Sequence, residues 1–228
     1  SLVGKKVVNP ESFLKALFNQ AVNRAHPDSH LASALSSLDK TSQGRTIILG
    51  AGKGAAAMAV IAENYFEGQV EGLVVTPYKH GCPTSIVEVV EAAHPVPDDA
   101  GQDVAKRMLS LLVLPADGID LKEKKRINKQ LLYSGASIDE INCVRKKLSQ
   151  VKGGRLALHC APATVHTFAI SDVPCDSPSV IASGPTVEDD TSIEAALEVL
   201  TRYNIHVSNA VTTYLEQQDK LDYRHLPK

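Results

Sequence analysis

The chain has four cysteines, Cys82, Cys143, Cys160 and Cys175, and no CxxC pair among them. That excludes a zinc knuckle and a dithiol redox motif, and points to reduced thiols in a cytoplasmic setting. The eight histidines contain no HExxH, so a helical zinc site has no support. Charge of one sign is also lacking. The formal net charge of −2 leaves no broad basic surface, and a nucleic-acid partner is not expected. No apolar run approaches the ~20 residues of a membrane helix, so no membrane partner is expected either. The opening SLVGKKVVNPESF does not read as a signal peptide.

What is present is an alternation of short apolar runs and amphipathic stretches. Asn9-Pro10 opens a helix whose face carries Phe13, Leu14, Leu17, Phe18, Ala21 and Val22. Strands are predicted at 46–50, 72–76, 86–91 and 164–170. Helices are predicted at 53–66, from Asp98 or Asp99 to about Leu112, from Asp120 to about Ser134, after the capping box Ser137-Ile-Asp-Glu140, at 191–203 and at 208–217. This pattern predicts an α/β fold, Rossmann-like, with a mostly parallel sheet in three α/β/α layers. One place breaks it: the helix ending near Leu112 meets another helix with no strand between.

The stretch TIILGAGKGAAAMA, residues 46–59, sets the functional question. Gly50, Gly52 and Ala55 satisfy the GxGxxA part of a dinucleotide fingerprint. The acid that should hold the ribose is missing, because Glu71 stands at the start of the second strand rather than its end. A phosphate-binding GxxxxGK[ST] loop fails twice, with Ile47 for the first glycine and Gly54 for Ser/Thr. A strand–GxGKG–helix turn remains, with Lys53 at its apex and the helix amides of Gly52 and Gly54 around a candidate phosphate. The competing reading is a tight turn with a solvated lysine.

Two further segments carry chemistry. Arg145, Lys146, Lys147, Lys152 and Arg155 are five cations in eleven residues, and Gly153-Gly154 among them suggests an anion nest. The plainer reading is a basic helix end. In AISDVPCDSPSVIASGPT, residues 169–186, a strand end delivers Ser171, Asp172 and Asp176, two carboxylates suited to Mg²⁺ held against a phosphate, followed by the turn Ser183-Gly184-Pro185. The alternative is a polar loop whose acids cap local amides. His94, in the rigid turn His94-Pro95-Val96-Pro97, could face a substrate.

ILGAGKGAAAMA (48–59), AAHPVPDDAG (92–101), LPADGIDL (114–121), LLYSGASIDEINCVRKKLSQVKGGRLA (131–157) and ISDVPCDSPSVIASGPT (170–186), in this order, resemble the glycerate 2-kinase family, often labelled putative hydroxypyruvate reductases. The resemblance implies a Rossmann-like N-terminal domain over residues 1–228 and transfer of a phosphoryl group from ATP to the 2-hydroxyl of D-glycerate. It gives Lys53 the catalytic role and puts the Ser171–Asp176 loop on the cleft. Gly50, Gly52, Gly54, Lys152, Gly153, Gly154, Ser171, Ser183 and Gly184 are then candidates for nucleotide phosphates. Arg145, Arg155 and His94 are candidates for the substrate, and Asp172 and Asp176 for Mg²⁺. A homodimer is one assembly open to such a protein.

The chain departs from that family in three ways. A strand and a glycine/serine-rich loop before LPADGIDL are missing, so residues are expected to be absent between 112 and 113. The family's smaller C-terminal domain has no counterpart before Lys228. Cys175 replaces a glycine. A nicotinamide-dependent hydroxypyruvate reductase and a non-catalytic phosphometabolite-binding domain are the rival functions.

Overall fold

A computed structural model describes residues 9–41, 44–94, 96, 98–111, 121–171 and 173–218. The break in alternation near residues 112–113 lies outside them. Helix α1 (Pro10–Ala25) starts as expected: the Asn9 side chain accepts from the amides of Glu11 and Ser12, and Pro10 takes the first position, where no amide is needed. A 3₁₀ turn (Pro27–Ser29) and α2 (Leu31–Leu35) lead to β1 (Thr46–Ala51), α3 (Ala55–Tyr65), β2 (Val70–Pro77) and β3 (Glu88–Ala92). Then follow α4 (Asp99–Leu111), α5 (Leu121–Tyr133), α6 (Ile138–Lys147), α7 (Arg155–Cys160), α8 (Ile193–Arg202) and α9 (Asn209–Gln218).

The sheet is parallel with order β1-β2-β3. Side chains alternate across it. Ile48, Val74 and Val89 pack with Ala55 and Ala59 of α3 on one face; Leu49, Leu73, Val75 and Val90 pack with Val104 and Met108 of α4 on the other. These are the three expected layers. A second core joins α5, α6, α8 and α9 around Ile127, Leu131, Val144, Val199, Leu200, Val211 and Leu215.

Two expectations need correction. The segment 164–170 forms no ladder with any described strand. Its β-branched residues report a fit to a pleated surface, and they do not supply a partner edge. The third strand starts two residues late, at Glu88. The buried Glu63 carboxylate of α3 accepts the amides of Ser85, Ile86 and Val87 at 2.7, 2.9 and 2.9 Å, and so claims the backbone just before it. Burial alone would raise the Glu63 pKa; those three donors outweigh it and hold the carboxyl low. Ile138 opens α6 exposed, while Ile141, Val144 and Leu148 are buried as the periodicity requires. Among the described residues, no helix is long and apolar enough to cross a membrane.

Candidate active site

The carboxyl edge of the sheet gathers the loops after all three strands, the place where open α/β sheets take ligands. Lys53 follows β1 by two residues and His94 follows β3 by two; both are exposed. They follow the two outer strands of the order β1-β2-β3, with β2 between them.

Each glycine of the β1–α3 turn has a distinct reason. A Cβ on Gly50 would stand 3.0 Å from Val74 Cγ1, tighter than ordinary packing, so a side chain there would push against the β2 face that carries α3. Gly52 has φ +118°, which side chains avoid. The Gly52 amide, expected to face a phosphate, instead donates to Val75 O at 3.0 Å and extends the β1–β2 ladder. The amides of Lys53 and Gly54 donate to no other described group. They lie at the positive end of α3, in the turn that carries the exposed Lys53. Ile170, just before Ser171, reaches this turn: a Cβ on Gly54 would lie 3.6 Å from Ile170 Cδ1. Tertiary packing therefore joins the glycine turn to the start of the acidic loop, which sequence spacing could not reveal.

The rim beyond β2 and β3 is tied down by Asp98, one of the two helix starts the sequence offered, together with Tyr78 and Glu91. Tyr78 donates its hydroxyl to Asp98 Oδ2 at 2.7 Å. Asp98 also accepts the amides of Ala93 and Gly101 and so caps α4. The Gly101 amide first, and the Tyr78 hydroxyl second, hold Asp98 below the usual carboxylate range. Glu91 Oε1 accepts the Gly81 amide at 2.9 Å, closing the loop after β2.

The basic segment does not behave as one patch. Gly153 and Gly154 form no open nest, because their amides donate to Ser183 O and Gly184 O at 3.1 and 2.8 Å. Leu156 N continues this zipper to Pro185 O at 3.1 Å. Arg155 is buried, and its Nη1 donates to the carbonyls of Lys146 and Lys152 at 2.8 and 3.0 Å. It ties α7 to the end of α6. Lys146 and Lys147 are buried against Asp189, at 3.5 and 2.9 Å. Arg145 and Lys152 remain. Asn128 Oδ1 accepts Arg145 Nε–H at 2.6 Å, and Ala182 O accepts from Lys152 Nζ at 2.9 Å.

In the acidic loop, Asp172 lies outside the described residues. Ser171 Oγ accepts the Val173 amide in a local turn, at 3.3 Å. Cys175 and Asp176 are exposed and left-handed, with φ of 62° and 49°. The left-handed value at 175 explains why glycine suits that position. Ala182, Ser183 and Gly184 are left-handed in succession, and Ser183 Oγ donates to Asn142 Oδ1 at 3.2 Å. Among the described residues, no group of three or more His, Cys, Asp or Glu could cage a metal. Mg²⁺ needs only one or two carboxylates when phosphates supply the rest, and the exposed Asp176 fits that arrangement.

Residues 13–112 and 109–216 match the model of a family described as a domain of unknown function, DUF4147. A putative hydroxypyruvate reductase of Agrobacterium vitis is 37% identical over 92% of this chain and 52% of its own length. The D-glycerate 2-kinase of Thermotoga maritima is 36% identical, over 92% of this chain and 56% of its own. The crystal structure of a glycerate kinase from Thermotoga maritima superposes with a TM-score of 0.77 at 37% identity, covering 91% of this chain and 56% of that one. The chain spans about half the length of the curated relatives it matches.

Proposed function

The chain belongs to the DUF4147 family, and from that premise we propose that it serves the ATP-dependent phosphorylation of D-glycerate at its 2-hydroxyl. The observation that carries the reading is the β1–α3 turn, where an exposed lysine and two unspent amides converge at a helix N-terminus. The glycerate kinases among its relatives supply the substrate class.

In the transfer, the bond from the γ-phosphorus to the β,γ-bridging oxygen breaks. A bond to the glycerate O2 oxygen forms, the hydroxyl proton departs, and ADP leaves. Such chemistry is mainly positioning and charge neutralisation. Lys53 and the amides of Lys53 and Gly54 would stabilise the transferring oxygens. The Gly52 amide is excluded from that role because Val75 O holds it. Mg²⁺, if carried in with the triphosphate, would neutralise its charge; Asp176, with Asp172, would supply the carboxylate side of its shell. His94 would line the far side of the same edge.

The reductase name of two relatives finds little in the geometry. Glu71, the acid nearest the expected spacing, pairs with Arg45 at 2.9 Å, at the amino end of the sheet. The purified protein should be offered D-glycerate with ATP, and separately hydroxypyruvate with NADH. ADP release in the first assay supports the kinase. NADH oxidation without it overturns the kinase, and neither product leaves a binding domain.

A further inference from the structure

No residue of α1 is buried. Its apolar stripe is open to solvent: Leu14 and Phe18 are 63% and 68% exposed, and Phe13, Leu17 and Val22 are about half exposed. A lone helix of this length is marginal in water, and helices gain most of their stability by packing such a stripe. Nor is α1 a loose tail. Ser29 Oγ donates to Asn23 O at 2.6 Å, and His30 Nε2 donates to Arg24 O at 2.8 Å. These bonds use carbonyls of the last turn, which a helix end otherwise leaves open, and tie α1 to the 3₁₀ turn that follows it.

The stripe has the same pattern in both directions. About the point between Leu17 and Phe18, Phe13 mirrors Val22, Leu14 mirrors Ala21 and Leu17 mirrors Phe18. At the ends, Glu11 mirrors Arg24; Glu11 also meets Lys15 of its own helix at 2.7 Å. Two α1 helices antiparallel about a two-fold axis at that point set apolar residues level with apolar residues, and acid level with base. A two-fold contact has this self-complementary form, and the opposed helix dipoles favour it. At roughly 180 Å² for a large apolar side chain, the stripe shows roughly 500 Å² per copy. Two copies together would remove roughly 1,000 Å², the size at which a specific interface begins.

We propose that the α1 stripe is the docking surface for a second copy of this chain, paired antiparallel in a two-fold dimer. Pro27, two residues beyond α1, has its Cγ 4.0 Å from where a Cβ on Gly54 would stand. One short segment thus links the interface to the β1–α3 turn. The dimer is independent of the phosphotransfer reading, because it requires association and not turnover.

Sedimentation velocity of the purified chain tests it. Over about 1 to 200 μM, a range that brackets the micromolar Kd suited to so small an interface, monomer should pass into dimer. Phe18→Glu, beside the two-fold axis, should raise that Kd about a hundredfold or more, because a charge must be desolvated in each copy. Its Tm at the lowest concentration should match wild type, since Phe18 is exposed within one copy. Mixed and mildly oxidised, the Phe13→Cys and Val22→Cys proteins should give a disulfide between positions 13 and 22 by peptide mass spectrometry. A link between two positions 13 instead overturns the antiparallel pairing. A dimer that Phe18→Glu leaves intact overturns the proposal, as does a monomer at every concentration. In the second case, a lowered Tm of Phe18→Glu would place the cover of the stripe within the same copy.

Discussion

Lys147 Nζ lies 2.9 Å from Asp189 Oδ2, and both side chains are almost wholly buried. Lys147 also donates to Thr191 O, and Thr191 returns its hydroxyl and amide to Asp189 Oδ1 at 2.7 and 3.1 Å. One carboxylate thus anchors the chain before α8 to two successive lysines of α6. Removing it leaves Lys147 only the Thr191 carbonyl, and Lys146 only the exposed Asp190 carboxylate at 3.7 Å. Asp189→Asn should cost about 3–5 kcal/mol in urea unfolding. A loss below about 1 kcal/mol would show that the lysines simply turn to water.

The same carboxylate gives a signed pH effect. Burial would raise the Asp189 pKa, but Lys147 and Thr191 outweigh it and hold it below the usual value. A depressed folded pKa contributes stability above the unfolded value, ~3.9, and that stability is lost as pH falls through the folded value. Wild type should therefore lose stability more steeply than Asp189→Asn as acid unfolding proceeds below about pH 4. Parallel curves would remove Asp189 from the acid transition.

Lys53 is exposed, so its truncation should leave folding alone. Lys53→Ala is expected to lower kcat by roughly 10²–10³ with Tm unchanged. Near-normal turnover would return Lys53 to the role of a solvated turn residue.

Cys175 occupies a left-handed conformation with φ 62°. That costs a side-chain-bearing residue roughly 1–2 kcal/mol, part of which glycine returns through its greater unfolded entropy. Cys175→Gly should raise Tm by about 2–4 °C, equivalent to ~1 kcal/mol in a chain of this size. A lower Tm would mean that the thiol makes contacts worth more than the strain.

The sequence by itself determined the local events. Asn9-Pro10 and the Ser137–Glu140 capping box set helix starts, Gly135 with φ +82° ends α5, and short apolar runs give β1 and β2. These are decided within a few residues by backbone sterics and unsatisfied amides. The GxGKG turn was legible for the same reason, since glycine spacing fixes the strand–helix junction. Which amides stay available there was not legible, because Val75 on a neighbouring strand takes that of Gly52.

Tertiary structure decided the partners. Five cations in eleven residues look alike in a sequence. Yet Asp189, distant along the chain and in no readable pattern with them, neutralises only Lys146 and Lys147. The carbonyls of 182–185 use up the Gly153 and Gly154 amides, and Ile170 reaches Gly54 without any ladder to carry it there. A charge's role depends on which opposite charge the fold brings within a few ångströms, and that distance is set by packing rather than by spacing along the chain.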